Sequence, residues 1–491
     1  MSRSIVIGLD IGTTSVKAVA FTKSGHVVAE HERSYPLYTP NPNWVEQDPL
    51  EIEQATIAVL HHLIEVSKID SSTILAIGLS SAMHSLICMS NEGEPLSHSI
   101  TWADGRASKQ ASQLNEHSLS LYQSTGTPIH PMSPLVKLMW MKENNFTPYL
   151  AASTFVSIKE FILYRWFGCK VVDYAVASAT GLFDIHKRTW NQDALKLAGI
   201  TEDRLFKPVP PTEVITGLNK AIAHQTGMPT DIPFVIGASD GSLANLGVGA
   251  IDPGEVAITI GTSGAIRQLV AQPKTDALQQ TFCYTFTDSM SLIGGPTNNG
   301  GIVLQWLKET LGSHESYEAF LSQAEKVGPG AEGLLFLPYL NGERAPIWNS
   351  EVRGNLFGLS LRHKREHIIR AGLEGVIYSV YHVGQALERL AGKPTKLLAS
   401  GGFARSPLWL QITADVFNQE VQVPVSHQSS AWGAAWVALQ GIGEVNTLES
   451  IKECIPMQGL YKPNADNHKV YIDMFNMFTE LSKTTNKMYR R

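Results

Sequence analysis

The feature that most constrains the fold is a strand–turn–strand pattern that occurs twice in the 491 residues. "IVIGLDIGTTSVKAVAF" covers residues 5–21, and "VAITIGTSGAIRQLV" covers residues 256–270. Apolar runs on both sides of a Gly-Thr turn predict strands at 5–9 and 15–21, and again at 255–260 and 265–270. Gly-Thr turns are common enough for two such hairpins to arise by chance. The shared pattern at the head of each half nevertheless favours a duplication, with the boundary near residues 245–253.

The segments around the hairpins alternate between strands and helices, which predicts an α/β fold. "DPLEIEQATIAVLHHLIEVSK" has apolar residues at helical spacing after Asp48, and "ILAIGLSS" and "PFVIGASDG" are typical of buried strands. Residues 104–210 are predicted to form a mainly helical cap. "SAWGAAWVALQGIG" is the last helix that the pattern indicates. The predicted domains are residues 1–246 and residues 247–491.

The composition excludes several classes of function. The formal net charge is -6, and no basic run carries interleaved aromatic residues, so neither nucleic acid nor an acidic membrane surface is an expected partner. The sequence has no recognisable signal peptide and no uncharged stretch of about 18 residues that would span a bilayer, so we expect a cytoplasmic protein. The four cysteines lie far apart and indicate neither a zinc site nor a disulfide framework.

The two Gly-Thr turns carry groups that suit phosphate. Glycine lets the backbone turn tightly, and successive N–H groups in such a turn form an anion site to which hydroxyls add donors. Asp10, before the first turn, would repel phosphate unless a cation lay between them, and Mg²⁺ with oxygen ligands fits that role. The second turn has Thr259 in the place of Asp10. We therefore expect one Mg–ATP between the turns, although a single hairpin of this kind is more often an ordinary β-turn.

Asp240 directly follows the apolar strand in "VIGASDGS", at the sheet edge where α/β folds bind ligands. Its small neighbours leave room for a substrate, and phosphoryl transfer needs a base that accepts the proton of the attacking hydroxyl. Asp240 is our candidate for that base. The alternative is that Asp240 caps a helix that begins near Gly241.

Polar and aromatic groups follow two further strands, in "SAMHS" and "TWADGR". This mixture suits a polyol, because polar groups bind hydroxyls and an aromatic ring supplies a wall. The alternatives are a core histidine and a structural salt bridge. The residues concerned are Met83, His84, Trp102, Asp104 and Arg106.

Together these motifs resemble the FGGY family of carbohydrate kinases, over nearly the whole chain and in the family's order. "GLDIGTTSVK" resembles the first phosphate turn, "TIGTSG" the second, "GASDG" the catalytic segment and "ASGGFARS" the adenosine segment. "PMSPLVKLMWMKEN" and "GNLFGLSLRHKREHIIRAGLEG" resemble two family signatures, the second departing at Gly372. The resemblance implies two actin/Hsp70-like (ribonuclease H-like) ATPase domains with a cleft between them, and ATP and Mg²⁺ as cofactors.

The resemblance also implies roles for individual residues. It makes Asp240 the base and Asp10 the acid of the Mg²⁺ site. The positions it implies for ATP and its phosphates are Thr13, Thr14, Lys17, Gly261, Thr262, Ser263, Gly301, Gln305, Gly402 and Ser406. The positions it implies for the sugar are Met83, His84, Trp102, Asp104 and Arg106, together with Asp240.

Several strings, among them "TGTPIHPMSPL" and "GERAPIWN", resemble the family members that phosphorylate gluconate. The expected reaction is transfer from ATP to D-gluconate, giving 6-phosphogluconate, and by family analogy we expect a homodimer. A kinase for another sugar or polyol, such as xylulose, and a nucleotide-switched binding protein of the actin or Hsp70 kind are the alternatives. The carboxylate of a sugar acid needs a cation or several donors. The candidates for this contact are Arg106, Lys137, Lys159 and Arg344, with His84 and His130 favoured.

Overall fold

The computed structural model describes residues 4–114, 118–425 and 428–489. The strands of the first half are β1 Ile5–Ile11, β2 Ser15–Thr22, β3 Val27–Ser34, β4 Glu46–Gln47, β5 Ile74–Ser81, β6 Ile87–Met89, β7 Ser99–Ile100, β8 Thr154–Val156, β9 Val171–Asp173, β10 Phe183–Asp184, β11 Thr189–Trp190, β12 Lys207–Val209, β13 Val214–Ile215 and β14 Phe234–Ser239. Its helices are α1 Pro49–His61, α2 Ser108–Gln113, α3 Ser118–Thr125, α4 Pro134–Glu143, α5 Thr147–Ala151, α6 Ile158–Phe167, α7 Tyr174–Ala179, α8 Gln192–Ala198, α9 Lys220–Thr226 and α10 Asp240–Gly247.

The second half continues the same alternation. Its strands are β15 Glu255–Ile260, β16 Gly264–Val270, β17 Phe282–Thr285, β18 Ser291–Thr297, β19 Leu335–Leu337, β20 Asn355–Phe357, β21 Lys396–Ser400, β22 Val421–Pro424 and β23 Met457–Tyr461. Its helices are α11 Gly301–Thr310, α12 Tyr317–Ser322, α13 Arg365–Ala391, α14 Pro407–Phe417, α15 Ser429–Gly441 and α16 Ala465–Tyr489. The predicted α/β fold, both hairpins and the mainly helical cap are confirmed.

The two large sheets share an arrangement of six strands, and the second sheet adds β17 at its edge, antiparallel to β18. The first has the order β13-β14-β5-β1-β2-β3, and the second has the order β17-β18-β16-β15-β21-β22-β23. In each sheet the two strands of the opening hairpin are antiparallel, and a third strand pairs antiparallel with the second hairpin strand. On the other side, two strands run parallel to the first hairpin strand, and one antiparallel strand lies outside them. The repeated hairpins therefore head two halves of the same design, as the sequence predicted.

Helix α15 belongs to the second half in sequence but packs against the first sheet. A Cβ atom added at Gly8 in β1 would lie 1.9 Å from the carbonyl oxygen of Ala431, and one at Gly78 in β5 would lie 1.9 Å from that of Ala434. Because glycine has no side chain, the helix backbone can lie directly on these strands. The contact fixes the first sheet, and the strand ends that carry Asp10 and Asp240, against the second half.

The prediction that α15 is the last helix is wrong, because α16 follows it with 25 residues. Helix α16 is polar on most of its surface, which hides it from a search for apolar runs. Its buried apolar side chains are Tyr471, Met474, Phe475 and Phe478, at spacings of three, four and seven residues, and they lie in the main apolar core. Among the described residues, no helix is both long enough and apolar enough to cross a membrane.

Candidate active site

The first Gly-Thr turn (residues 12–14) connects β1 to β2 and places Asp10 at the carboxyl end of β1. Asp10 pairs in register with Lys17 on β2 and with Ser80 on β5. The Ser80 hydroxyl donates a hydrogen bond to the Asp10 carboxylate at 2.6 Å. Burial, followed by the negative charge of Asp240, raises the pKa of Asp10 from 3.8 to about 6. Two carboxylates thus lie close enough to disfavour each other's ionisation.

The second Gly-Thr turn (residues 261–263) repeats this arrangement without the carboxylate. Thr259 pairs in register with Ser400, and their hydroxyls lie 2.9 Å apart. This pair occupies the positions that Asp10 and Ser80 have in the first half. Helix α11 begins against the turn, where the Gly301 N–H donates to the Gly261 carbonyl at 2.7 Å. A Cβ atom at Gly300 would lie 2.5 Å from the Ser263 carbonyl oxygen, so this approach needs glycine.

A larger cavity of about 600 Å³ lies between the second turn, the start of α11 and the start of α14. Its walls combine small residues with the aromatic and apolar side chains of Phe403, Leu408 and Trp409. Small residues let a ligand approach the backbone, and apolar surface suits the face of a purine base. Six of the residues predicted to contact ATP line this cavity: Gly261, Thr262, Gly301, Gln305, Gly402 and Ser406.

A smaller cavity of about 330 Å³ lies between the two halves and shares Gly261 and Thr262 with the larger one. From the second half, Arg267, Tyr284 and Arg344 also line it. The predicted residues that line the smaller cavity are Thr13, Met83, His84, Trp102, Asp240, Gly261, Thr262 and Ser263. Two ligands, one in each cavity, would therefore meet at the second Gly-Thr turn.

Asp240 is the first residue of α10 and is not its N-cap. Ser239 takes that position, and its hydroxyl accepts from the Ser242 N–H at 3.4 Å. The Asp240 carboxylate accepts from the adjacent Gly241 N–H at 2.6 Å and faces the smaller cavity. Burial raises the pKa of Asp240, and the positive charge of Arg267 partly offsets this effect. The helix-cap alternative therefore does not account for this carboxylate.

Several predicted residues lie outside both cavities. Asp104 and Arg106 form a buried ion pair at 2.7 Å, and Arg106 also pairs with Glu46 at 2.5 Å and stacks on Trp44 at 3.8 Å. Arg106 therefore stabilises the packing around β4 in this structure. The other predicted site residues outside the two cavities are Asp10, which accepts from Ser80, the exposed Thr14, Lys17, which pairs with Glu32 at 3.0 Å, and His130, whose ring lies 5.7 Å from that of Trp348.

The histidines favoured for binding a carboxylate are both uncharged in this structure. Burial lowers the pKa of His84 and that of His130 to about 3. The Nδ1 of His84 lies 2.7 Å from the Ala179 carbonyl, which only accepts, so Nδ1 carries the proton and Nε2 is an acceptor. His84 is thus suited to receive a hydrogen bond from a hydroxyl. His130 Nδ1 accepts from the Met132 N–H at 3.2 Å, which leaves Nε2–H as a neutral donor.

The structure adds Arg267 and Tyr284 to the smaller cavity, and sequence reasoning did not identify either one. Arg267 lies on β16 in "GAIRQLV", four residues beyond the second Gly-Thr turn. A charged residue inside an otherwise apolar strand was a usable signal, because charges are seldom placed in a sheet without a partner or a ligand. Tyr284 on β17 gives no comparable signal, since an aromatic residue in a strand is ordinary.

Two duplicated domains with a Gly-Thr turn in each, and a buried acid in the cavity between them, form the arrangement of a two-domain kinase. Residues 5–247 match the model of the N-terminal domain of the FGGY family of carbohydrate kinases, and residues 256–441 match the model of its C-terminal domain. The chain belongs to the FGGY family of carbohydrate kinases.

Similar proteins within the family include gluconate kinases and xylulose kinases. A gluconokinase of Bacillus subtilis strain 168 is 45% identical, with 99% of this chain and 97% of the relative covered. A xylulose kinase of the same strain is 31% identical, with 97% and 96% covered. The crystal structure of a gluconate kinase from Lactobacillus acidophilus has a TM-score of 0.95 and 36% identity, with 99% of each chain covered. A ligand-bound xylulose kinase from that organism gives the same values.

Proposed function

We propose that this protein is a gluconokinase, which transfers the γ-phosphoryl group of ATP to the terminal hydroxyl of D-gluconate and releases 6-phosphogluconate and ADP. The observation that carries the proposal is the pair of cavities that share Gly261 and Thr262, with the Asp240 carboxylate in the smaller one. ATP in the larger cavity would direct its phosphates toward the shared turn. A hydroxyl next to Asp240 would then face the γ-phosphate for in-line attack.

The chain's own residues divide the chemistry between them. Asp240 orients the sugar hydroxyl and accepts its proton, and its raised pKa makes it a better proton acceptor than an ordinary carboxylate. The N–H and hydroxyl groups of the second Gly-Thr turn stabilise charge on the transferred phosphoryl group. Arg267 and Arg344 add positive charge to the same cavity. Trp102, which donates to the Thr13 hydroxyl at 2.9 Å, joins the sugar wall to the first turn.

The residues around the first turn fit a bound Mg²⁺. Asp10 supplies a carboxylate at the turn, and a cation there would remove the penalty that burial and Asp240 impose on its ionised form. Mg²⁺ commonly takes one or two protein carboxylates and completes its shell with phosphate oxygens and water. Among the described residues, no group of three or more His, Cys, Asp or Glu side chains is placed to hold a metal by itself. When bound, the ion would neutralise charge on the phosphates.

The charge of the smaller cavity favours an acid over a neutral sugar. Its charged side chains are two arginines and one aspartate, since the pKa of about 3 leaves His84 neutral and burial raises the pKa of Tyr284. An anionic substrate would balance the excess positive charge. Xylulose kinase is the second candidate, because relatives of that name are 29–31% identical and a ligand-bound structure is equally similar in fold. The buried carboxylate in a separate cavity disfavours a nucleotide-switched binding protein without a transfer reaction.

The test is a coupled assay of ADP release with ATP and Mg²⁺, using D-gluconate, D-xylulose, glycerol and no sugar in parallel. We expect the highest kcat/KM with D-gluconate and little ADP release without a sugar. Asp240→Asn is the control for turnover at this site. A clear preference for D-xylulose would replace the proposal with the second candidate, and turnover independent of any sugar would remove both. The homodimer and the cytoplasmic location stay predictions from the sequence.

A further inference from the structure

The proposed function leaves open which group binds the carboxylate of the sugar acid. An ionised carboxylate taken from water into a cavity needs a charged hydrogen-bond donor. The basic side chains in or next to the smaller cavity are His84, His130, Lys137, Lys159, Arg267 and Arg344. Their hydrogen bonds separate the groups that are already engaged from those that are free for a ligand.

Four of these groups are engaged or uncharged. The Lys137 ammonium donates to the carbonyls of His84 at 2.6 Å, Thr101 at 2.8 Å and Ile100 at 3.3 Å, which uses its three protons. Lys159 pairs with Asp173 at 2.6 Å and donates to the Ala238 carbonyl at 2.9 Å. His84 and His130 are neutral, as described above. Both lysines therefore stabilise the floor of the cavity.

Arg344 is held in place by its surroundings. Its Nη2 donates to the Thr297 carbonyl at 3.3 Å, and its guanidinium lies 4.7 Å from the centre of the Trp102 ring. Among the described residues its Nε has no partner, so this guanidinium also keeps N–H groups for a ligand. Arg344 is nevertheless fixed beside the aromatic wall by its contacts with Thr297 and Trp102, which makes it the more engaged of the two cavity arginines.

Arg267 has the least engaged guanidinium of the set. Its one hydrogen bond among the described residues is a long contact of 3.5 Å with the Thr259 hydroxyl. No described carboxylate lies within 4.0 Å of it, although Asp240 is near enough for each charge to shift the other's pKa. A ligand can therefore lie between Arg267 and Asp240 and contact both.

Two glycines make room for the Arg267 side chain. A Cβ atom at Gly241 would lie 3.1 Å from Arg267 Nε and 3.4 Å from Met83 Cε. A Cβ atom at Gly294, which pairs with Arg267 across β16 and β18, would lie 3.1 Å from Arg267 Cγ. Arg267 thus reaches from the second half to the start of α10 in the first half, through space that any larger residue would occupy.

We propose that Arg267 is the residue that selects sugar acids, by binding the substrate carboxylate through its guanidinium, and that Gly241 gives it access to the cavity. The inference rests on the proposed function. The carboxylate and the terminal hydroxyl lie at opposite ends of the six-carbon chain. A gluconate that places its hydroxyl at Asp240 would curve along the wall formed by Met83 and Trp102, with its carboxylate at Arg267.

The competing role for Arg267 is to keep Asp240 ionised. The test compares kcat/KM for D-gluconate with kcat/KM for D-gluconamide, which has the same shape but no charge. In Arg267→Met we expect the ratio of the two values to fall roughly 100-fold, the size of a lost charged hydrogen bond, with most of the change in KM for gluconate. Arg267→Lys should recover part of the ratio, because it restores the charge without the planar fork. Lys187→Met, which removes an exposed charge, is the matched control.

A second variant keeps the proposal testable if Arg267→Met does not fold. Gly241→Leu leaves Arg267 in the chain but fills the space beside its Nε, and we expect the same fall in the ratio. The proposal is overturned if both substrates lose activity equally and the acid limb of the kcat–pH profile moves up, which is the signature of a role toward Asp240. It is also overturned if Arg344→Met, and not Arg267→Met, removes the preference for the acid. Wild-type turnover of gluconate against xylulose tests the proposed function separately.

Discussion

Replacing Asp10 with asparagine should stabilise the ligand-free protein and abolish efficient phosphoryl transfer. The Asp10 carboxyl lies where burial and the charge of Asp240 raise its pKa from 3.8 to about 6. At neutral pH the folded protein must keep this group ionised in surroundings that disfavour charge. Asparagine has nearly the same shape, and its carbonyl oxygen can still accept the hydrogen bond from Ser80. The substitution removes the charge that the proposed Mg²⁺ site requires.

The magnitude follows from the pKa difference. A carboxyl whose pKa is about 6 when folded and 3.8 when unfolded loses about 3 kcal/mol of folding free energy when it ionises. The folded state binds the proton more tightly, so this contribution is fully present below pH 4 and is lost as the pH rises through 6. Asparagine does not titrate. The free energy of unfolding of Asp10→Asn should therefore exceed that of the wild type by almost nothing at pH 4 and by at most about 3 kcal/mol at pH 7.

The assay measures thermal unfolding by calorimetry between pH 4.5 and 8, without ATP or Mg²⁺. We expect the Tm of Asp10→Asn to exceed that of the wild type by an amount that grows with pH to a few degrees. Asp466→Asn, at a side chain that is 89% exposed, is the control and should show no such trend. A Tm difference that does not change with pH, or a less stable variant at pH 7 to 8, would refute the reasoning.

Three further predictions address the base, the packing and the shared turn. Asp240→Asn should lower kcat by about 10² or more while calorimetry shows unchanged ATP binding. Because burial raises the pKa of Asp240, the acid limb of the wild-type kcat profile should lie above the ordinary carboxyl pKa of 3.8. Near-normal turnover of the variant would contradict its role as base. Gly78→Ala should destabilise the protein by about 3 kcal/mol or more, because its Cβ would lie 1.9 Å from the Ala434 carbonyl oxygen. The control is Gly328→Ala, at a site with open space. Equal Tm values for the two variants would contradict this packing. Thr262→Val should raise KM for ATP roughly tenfold, because it removes a hydroxyl from the wall that both cavities share. Steady-state kinetics measure this KM, and an unchanged value would mean that the phosphates bind elsewhere.

The local features of the fold could be predicted from the amino-acid sequence. Apolar runs on both sides of the Gly-Thr turns predicted both hairpins, and Asp48 marked the start of α1, where its side chain accepts from the Leu50 N–H at 2.8 Å. The position of Asp240 directly after a buried strand indicated a carboxylate at the sheet edge. These features depend on residues close together in the chain, so their patterns can be read without the fold. Helix α16 shows the limit, because its apolar face is spread over a mostly polar segment.

Which distant side chains share a cavity depends on contacts that form when the chain folds. Asp104 and Arg106 have the residue types of a sugar site, but they pair with each other because β4 brings Glu46 and Trp44 against them. Arg267 extends from the second half to the start of α10 because Gly241 and Gly294 leave space for it. A charged side chain is equally suited to an ion pair or to a ligand, and its choice depends on the partners that folding places around it.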